Sequence, residues 1–488
     1  MTNSIDKKIY NATKWSSITE VAGKLVTPVS NIILARILTP DAFGIVATAS
    51  MIFSFADMFT DSGFQKYLVQ HEFNSKRERE DYATVAFWTN MVLSIIFWLL
   101  ISISSDQLAI LVGSPGLGRV FIVSCISLPL TSMSSIQMAL YRRNFDFKTL
   151  FFVRMIAVVI PLTITIPLAI LTNSFWALIV GNVCANLSNT IVLTWRSSWK
   201  PKLFYDVNIL KEMLSFSVWS LIEAISIWMT SYLDVFIVGT YLTSYYLGLY
   251  KTSMNTVNQI MTLVTSATMP VLFAALSREQ HDFVKFKRIY FSFHRNVGLL
   301  LVPMGVGIFL YQDLITKILL GSQWTEAAPF IGMWGFVNAL KIMFSNYCSE
   351  AYRAMGKPKV SVFVQISQLI VLVPSIIYSA QIGFQLLYIM RCLVSCELIL
   401  VNLSVVYFVL HISPLHMFKN IVPEIGATII MACTSLALRK VSSGVVWSFV
   451  SIVVCAIVYF VIILLFPSIR DQYMLPIKKY SMKFRGKK

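Results

Sequence analysis

Charge is what this sequence has least of. Asp and Glu number 23 in 488 residues, and charged residues of both signs make up 13%. A soluble domain carries about 25%, so a water-solvated globular protein is excluded. Histidine is scarce too. The five (His71, His281, His294, His411, His416) lie in or beside loops and form no ligand cluster. None of the seven cysteines sits in a Cys-x-x-Cys pair. Cys392 and Cys396 are four apart, but no histidine or carboxylate completes a metal site there. No disulfide framework is expected, and the thiols read as small buried hydrophobes. No phosphate-binding loop is present: Gly356-Lys357 lacks the glycine five positions earlier that nucleotide binding requires. No Ser/His/Asp constellation can be argued, so the reading is not an enzyme, and no cofactor or metal is expected. Nothing at the start resembles a cleavable leader, because the first apolar run carries Glu20 and Lys24.

What is present is hydrophobic residue, 57% of the chain. Apolar runs of about 20 residues, each enough to cross a bilayer, recur from 15–37 to 445–466. They predict an all-α polytopic membrane protein with about fourteen transmembrane helices. The net charge of +17 does not point to nucleic acid, because its distribution follows topology. With the N-terminus in the cytoplasm, the inner segments hold 28 of the 40 basic residues, including Lys76, Arg142, Lys200, Lys285 and Lys357. The outer connections hold Lys317, Arg439 and Lys440, with Arg36 and Arg119 at the rims. That asymmetry places both termini inside. The basic tail from Lys478 to Lys488 is suited to anionic headgroups, so membrane lipids are expected partners. The outer loops near 105–118 and 312–327 are short, which argues against a folded external domain.

The chain also repeats itself. Trp15-Ser16-Ser17-Ile18 leads to Leu38-Thr39-Pro40-Asp41-Ala42-Phe43-Gly44. Trp219-Ser220-Leu221-Ile222 leads to Leu242-Thr243-Ser244-Tyr245-Tyr246-Leu247-Gly248, with each landmark displaced by 204 residues. Tyr141-Arg142 and Tyr352-Arg353 give a weaker echo. The spans then divide as six, six and two: two parallel six-helix lobes plus two C-terminal helices, an arrangement of secondary transporters. The domains expected are 1–200, 201–410, 411–466 and a basic cytoplasmic tail at 467–488. The two-helix appendix either docks beside the bundle or forms a lipid-facing groove. At the same displacement Lys24 stands against Trp228 and Ala47 against Lys251. Scaffold residues persist between the copies, and charges do not.

Ionisable residues inside the spans mark the site. A central Lys or Arg costs about 2.5–3.5 kcal/mol to insert, and Lys24 and Lys341 lie near span centres. Lys251 and Arg391 lie one or two turns in. These four are read as a cationic substrate cavity. Lys24 has Glu20 four residues away as a pairing candidate. Arg36, Lys66, Arg154 and Arg295 lie close enough to an interface to snorkel. Glu20, Asp57, Asp61, Glu223 and Asp234 are candidates for coupling to H⁺ or Na⁺, and Glu350 and Glu397 are further buried acids. Asp57 and Asp61 share a helix face, where a relay or packing against a cation is equally compatible. Trp228 and Trp334 are considered as platforms for sugar rings, against the plainer reading of interfacial bulk.

The text from Lys14-Trp15-Ser16 through Leu38-Thr39-Pro40-Asp41-Ala42-Phe43-Gly44 to Asp61-Ser62-Gly63-Phe64 resembles the polysaccharide-exporter branch of the multidrug/oligosaccharidyl-lipid/polysaccharide flippase superfamily. It is similar to the Wzx-type and teichuronic-acid-type exporters, over essentially the whole chain. The resemblance implies a flippase for undecaprenyl-diphosphate-linked oligosaccharide (the repeat unit of an O-antigen, capsule or exopolysaccharide) in the bacterial inner membrane. It also implies alternating access around a cationic cavity, and a polysaccharide polymerase machinery nearby. Two other readings stand beside it. A multidrug–cation antiporter on the same scaffold would want acidic and aromatic cavities instead of central lysines. A membrane glycan polymerase or ligase would want a larger external loop.

Overall fold

The computed structural model describes residues 2–61, 63–442 and 444–466, and the described residues form helices and no strands. In lipid each backbone N–H and C=O must be satisfied within its own segment, so long apolar runs fold as helices. Fourteen long helices follow the chain: α1 Thr2–Ile37, α2 Pro40–Asp61, α3 Lys76–Ile103, α4 Gly118–Arg143, α5 Phe147–Thr172, α6 Trp176–Arg196 and α7 Val207–Tyr241, then α8 Ser244–Arg278, α9 Phe283–Leu310, α10 Ser322–Ala354, α11 Pro358–Ile382, α12 Phe384–Leu410, α13 Val422–Val441 and α14 Val445–Leu465. Among the described residues thirteen segments, α2 to α14, are long and apolar enough to cross a membrane. At 36 residues α1 has the length of a fourteenth, and it carries Glu20, Lys24 and Arg36 in its second half. Polar side chains cap the starts of four of these helices. Ser75, Asp146, Asp206 and Asp282 accept backbone N–H groups at the starts of α3, α5, α7 and α9, each worth about 1 kcal/mol.

The chain packs as two compact units. The first takes Met1–Thr252 and Ile376–Phe384, the second Ser253–Ser375 and Gln385–Lys488. Packing puts this seam inside α8, whereas the duplicated text draws a lobe boundary at residue 200. The first division follows contacts and the second follows the repeat. The tail expected at 467–488 lies outside the described residues. In the first unit α4 packs on α3 and α6, α5 on α1 and α6, and α7 on α2. In the second, α9 lies against both α10 and α13.

Within the first unit the duplicated text meets itself. A β-carbon on Gly44 would stand 1.8 Å from the Ser244 carbonyl oxygen and 3.0 Å from the Gly248 nitrogen. A β-carbon on Gly248 would stand 1.9 Å from the Pro40 oxygen and 3.0 Å from the Gly44 nitrogen. Pro40 and Ser244, like Gly44 and Gly248, are equivalent positions of the two copies. The contact is therefore reciprocal, as a two-fold relation between the starts of α2 and α8 requires. Glycine recurs in both copies because the two backbones cross where no side chain fits.

In the second unit the appendix docks along α9. The Tyr459 hydroxyl donates to the Leu299 carbonyl at 2.8 Å, and Arg439 donates to the Leu310 carbonyl at 2.6 Å. Tyr311, just past α9, hydrogen-bonds Ser451 on α14. Ala427, Met431, Cys455, Tyr459 and Ile463 bury a shared apolar seam against Leu299 and Val306. Of the two arrangements open to it, the appendix takes the docked one. Arg295 corrects the sequence reading. Instead of snorkelling, it lies 3.8 Å from Glu424, whose side chain is fully buried in the first turn of α13. Burial of the carboxylate between two helices keeps the guanidinium from turning to the interface.

Candidate functional site

Two of the four predicted cations converge on one indole in the second unit. Phe330, Trp334, Asn338 and Lys341 recur at three- and four-residue spacing, so they share one face of α10. The Lys341 Nζ lies 5.7 Å from the Trp334 ring centre, and the Arg391 guanidinium carbon, from α12, lies 5.1 Å from the same centre. Trp334 is 1% exposed and Arg391 5%, while Lys341 is half-buried. Cation–π attraction is worth about 0.5–2 kcal/mol per pair, and more as water is removed. Asn258 on α8 braces the platform. Its Oδ1 accepts from Asn338 Nδ2 at 2.9 Å and from the Trp334 indole N–H at 3.4 Å. On the other side Phe330 stacks on Tyr388 with ring centres 5.6 Å apart.

The backbone changes character beside this pair. The α-helical part of α10 ends at Lys341, and Ile342–Asn346 forms a π-turn before the helix resumes. A comparable π-turn in α5 starts at Pro161, where the missing N–H explains it. No proline lies within 342–346. Single π-turns inside helices gather at functional sites.

The remaining candidates lie elsewhere. Lys24 is half-buried on α1, in the first unit. The Glu20 side chain is outside the described residues, and so are those of Asp61 and Glu223. Lys251 is also in the first unit, where its Nζ donates to the Ser231 carbonyl at 3.3 Å and lies 5.2 Å from the Tyr232 ring centre. Asp57 is half-buried, and the Thr131 hydroxyl donates to it at 3.0 Å. Asp234 is buried; the Tyr250 hydroxyl donates to it at 2.9 Å and the Val235 N–H at 2.8 Å, tying α7 to α8. Glu397 is half-buried with Ser367 at 3.5 Å, and Glu350 pairs with Arg353 at 3.1 Å. Among the described residues no three His, Cys, Asp or Glu side chains are placed to hold a metal ion.

Trp334 departs from the sugar-platform reading. Trp334 is enclosed beside two cations. Trp228 sits edge-on to Phe55 at 5.0 Å and donates to the Met51 carbonyl at 3.4 Å. Sequence reasoning passed over Asn258 and Asn338 entirely. The available signal was the spacing of Trp334, Asn338 and Lys341, which puts an amide between an indole and a cation on one face.

A second polar cluster joins the start of α7 to the segment between α2 and α3. The hydroxyls of Tyr67 and Tyr82 donate to opposite oxygens of Glu212, at 2.7 and 2.6 Å. His71 stacks on Tyr67 at 4.7 Å and lies 4.0 Å from the carboxylate. The hydrogen bonds from Tyr82 and Tyr67 hold the Glu212 carboxyl below its ordinary pKa. Burial and the adjacent carboxylate push the Tyr67 phenol up.

Residues 33–329, more than half the chain, match the family described as polysaccharide biosynthesis protein. Among relatives, the succinoglycan biosynthesis transport protein ExoT of Rhizobium meliloti is 25% identical over 336 residues, covering 68% of this chain and 67% of its own. The lipopolysaccharide biosynthesis protein WzxC of Escherichia coli is 21% identical over 408 residues, covering 80% and 81%. Among solved structures, the lipid II flippase MurJ in an inward closed conformation matches with a TM-score of 0.76 and 12% identity, over 94% of this chain and 99% of its own. That last likeness is one of fold.

Proposed function

The chain belongs to the polysaccharide biosynthesis protein family, and on that premise we propose that it is a flippase for oligosaccharide linked to an undecaprenyl diphosphate lipid. The observation that carries the reading is the convergence of Lys341 and Arg391 on Trp334 within membrane-spanning helices. A glycan cannot cross hydrocarbon unaided, because its hydroxyls would lose their hydrogen bonds. Its diphosphate is anionic, and two nearby cations of the protein attract it. At an effective dielectric of about 20, unit charges about 4 Å apart attract by about 4 kcal/mol. Arginine suits phosphate because its donors lie in the guanidinium plane while its face stacks on an aromatic ring. The relatives' names support the reading, since one is a transport protein of succinoglycan biosynthesis and the fold is shared with a protein named lipid II flippase.

In this mechanism the headgroup enters from one leaflet, the cations bind the diphosphate, and the prenyl tail stays in lipid. A change between two conformations that favour opposite leaflets then carries the headgroup across. Lys24 and Lys251 serve as further cations along the path. Asp57 leads the candidates for coupling H⁺ or Na⁺, because Asp234 takes a backbone N–H on one oxygen and the Tyr250 hydroxyl on the other, whereas Asp57 takes the Thr131 hydroxyl on one oxygen. Glu20, Asp61 and Glu223 follow by position alone. The basic loops support an inner-membrane protein with both termini in the cytoplasm. The test is substitution of Lys341 and Arg391 by Ala, singly and together, in cells that depend on this protein for glycan export. Export falls in each single variant and is lost in the pair at normal membrane abundance. Undiminished export in the pair contradicts the role of these cations.

A further inference from the structure

Inside the first unit α2, α4 and α6 line a cavity of about 250 Å³ whose mixed wall sets five neutral polar side chains among Ala49, Phe53, Ile179 and Ala185 and carries no charge. Each helix offers a pair of residues one turn apart: Ser50 and Phe53, Ser124 and Ser127, Asn182 and Asn186. The Ser124 hydroxyl is buried with no hydrogen-bond partner. None of the four other polar side chains is engaged by another described residue. In a membrane-spanning bundle, unsatisfied hydroxyl and amide groups are costly, so this wall calls for an occupant that both donates and accepts.

The chemistry of that occupant is narrow. A lipid chain would leave the buried Ser124 hydroxyl unsatisfied and would cover Ser50, Ser127 and Asn186 without pairing them, while Asn182 stands exposed at the edge. A diphosphate finds no cation among the lining residues. What remains is a neutral hydroxyl-bearing group, and the volume equals about eight waters at about 30 Å³ each. Phe53 supplies one apolar ring, which suits the C–H face of a sugar. One turn beyond Phe53, Asp57 accepts from Thr131, which is one turn beyond Ser127. Side-chain polarity therefore continues along α2 and α4 past the cavity.

We propose that this cavity is a neutral polyol subsite, which takes one sugar ring of the lipid-linked glycan. The proposal rests on the flippase reading above and names a place where the glycan, as distinct from its diphosphate, is held. Water shares the hydroxyl chemistry, so the experiment must separate the two.

The full-length protein in lipid nanodiscs is titrated with undecaprenyl diphosphate bearing a trisaccharide, and separately with sugar-free undecaprenyl diphosphate. Wild type prefers the glycosylated lipid by about tenfold, the gain that one or two net hydrogen bonds confer. The double variant Asn182→Leu with Asn186→Leu, close to the original side-chain size, binds both lipids alike, and its unchanged affinity for the sugar-free lipid reports intact folding. If that variant binds neither lipid, Ser124→Ala replaces it, since this hydroxyl has no partner in the fold. The preference must then shrink. A preference that survives both variants means that the cavity holds only water, and overturns the proposal. So does a wild type that binds both lipids equally. A wild type that binds neither lipid overturns the flippase reading itself.

Discussion

Replacing Gly44 by Ala tests whether the duplicated text exists to let two helices cross. The new β-carbon would stand 1.8 Å from the Ser244 carbonyl oxygen. Ordinary contacts lie at about 3.5 Å or more, so α2 and α8 must part by roughly 1.5–2 Å at this point. Overpacking of this kind costs about 1–3 kcal/mol. Gly248→Ala forces the same movement from the other copy, with its β-carbon 1.9 Å from the Pro40 oxygen. The double variant therefore loses less than the two singles combined, because a gap opened for one methyl admits the other. Thermal unfolding of the purified protein in one detergent, followed for wild type, both singles and the double, reads this coupling. Singles that melt with wild type would refute the crossing. A fully additive double would refute its reciprocity.

Two further outcomes follow from buried and half-exposed charge. Arg295→Met strands the buried Glu424 carboxylate and lowers stability by about 3–5 kcal/mol, whereas Arg295→Met combined with Glu424→Leu recovers much of it. Equal losses in the two variants would show that the pair does not anchor the appendix. The Glu212 cluster depends on pH. Its folded pKa is depressed, so its contribution is present above the unfolded carboxyl value of about 4.3. That contribution is lost as pH falls through the folded value. Protease cleavage in the segment between α2 and α3 rises as pH is lowered past the ordinary carboxyl value of about 4.3, and Glu212→Gln flattens the rise. An unchanged pH profile in that variant counts against the tie.

Much of the architecture was legible because depth and helix face are written in local sequence. Run length marked the spans. The displacement of 204 residues picked out Gly44 and Gly248 before any contact was visible. Partners across helices were not legible. Lys341 and Arg391 are both recognisable as costly cations, yet nothing local says that they share Trp334. Arg295 looked interfacial because the acid that meets it, Glu424, lies in a different stretch of chain. Periodicity places a side chain on a face, and only packing chooses the neighbouring helix. The π-turn at 342–346 was hidden for a related reason, since no proline or glycine announces it.

The proposed role of Lys341 and Arg391 in holding the diphosphate of a lipid-linked glycan can be read from transport itself. The most direct measurement reconstitutes the purified protein in vesicles with a fluorescent undecaprenyl-diphosphate oligosaccharide and follows its appearance in the opposite leaflet. Wild type translocates the lipid, and Lys341→Ala with Arg391→Ala loses translocation while the protein remains folded in the membrane. Translocation at the wild-type rate in that double variant would contradict that role.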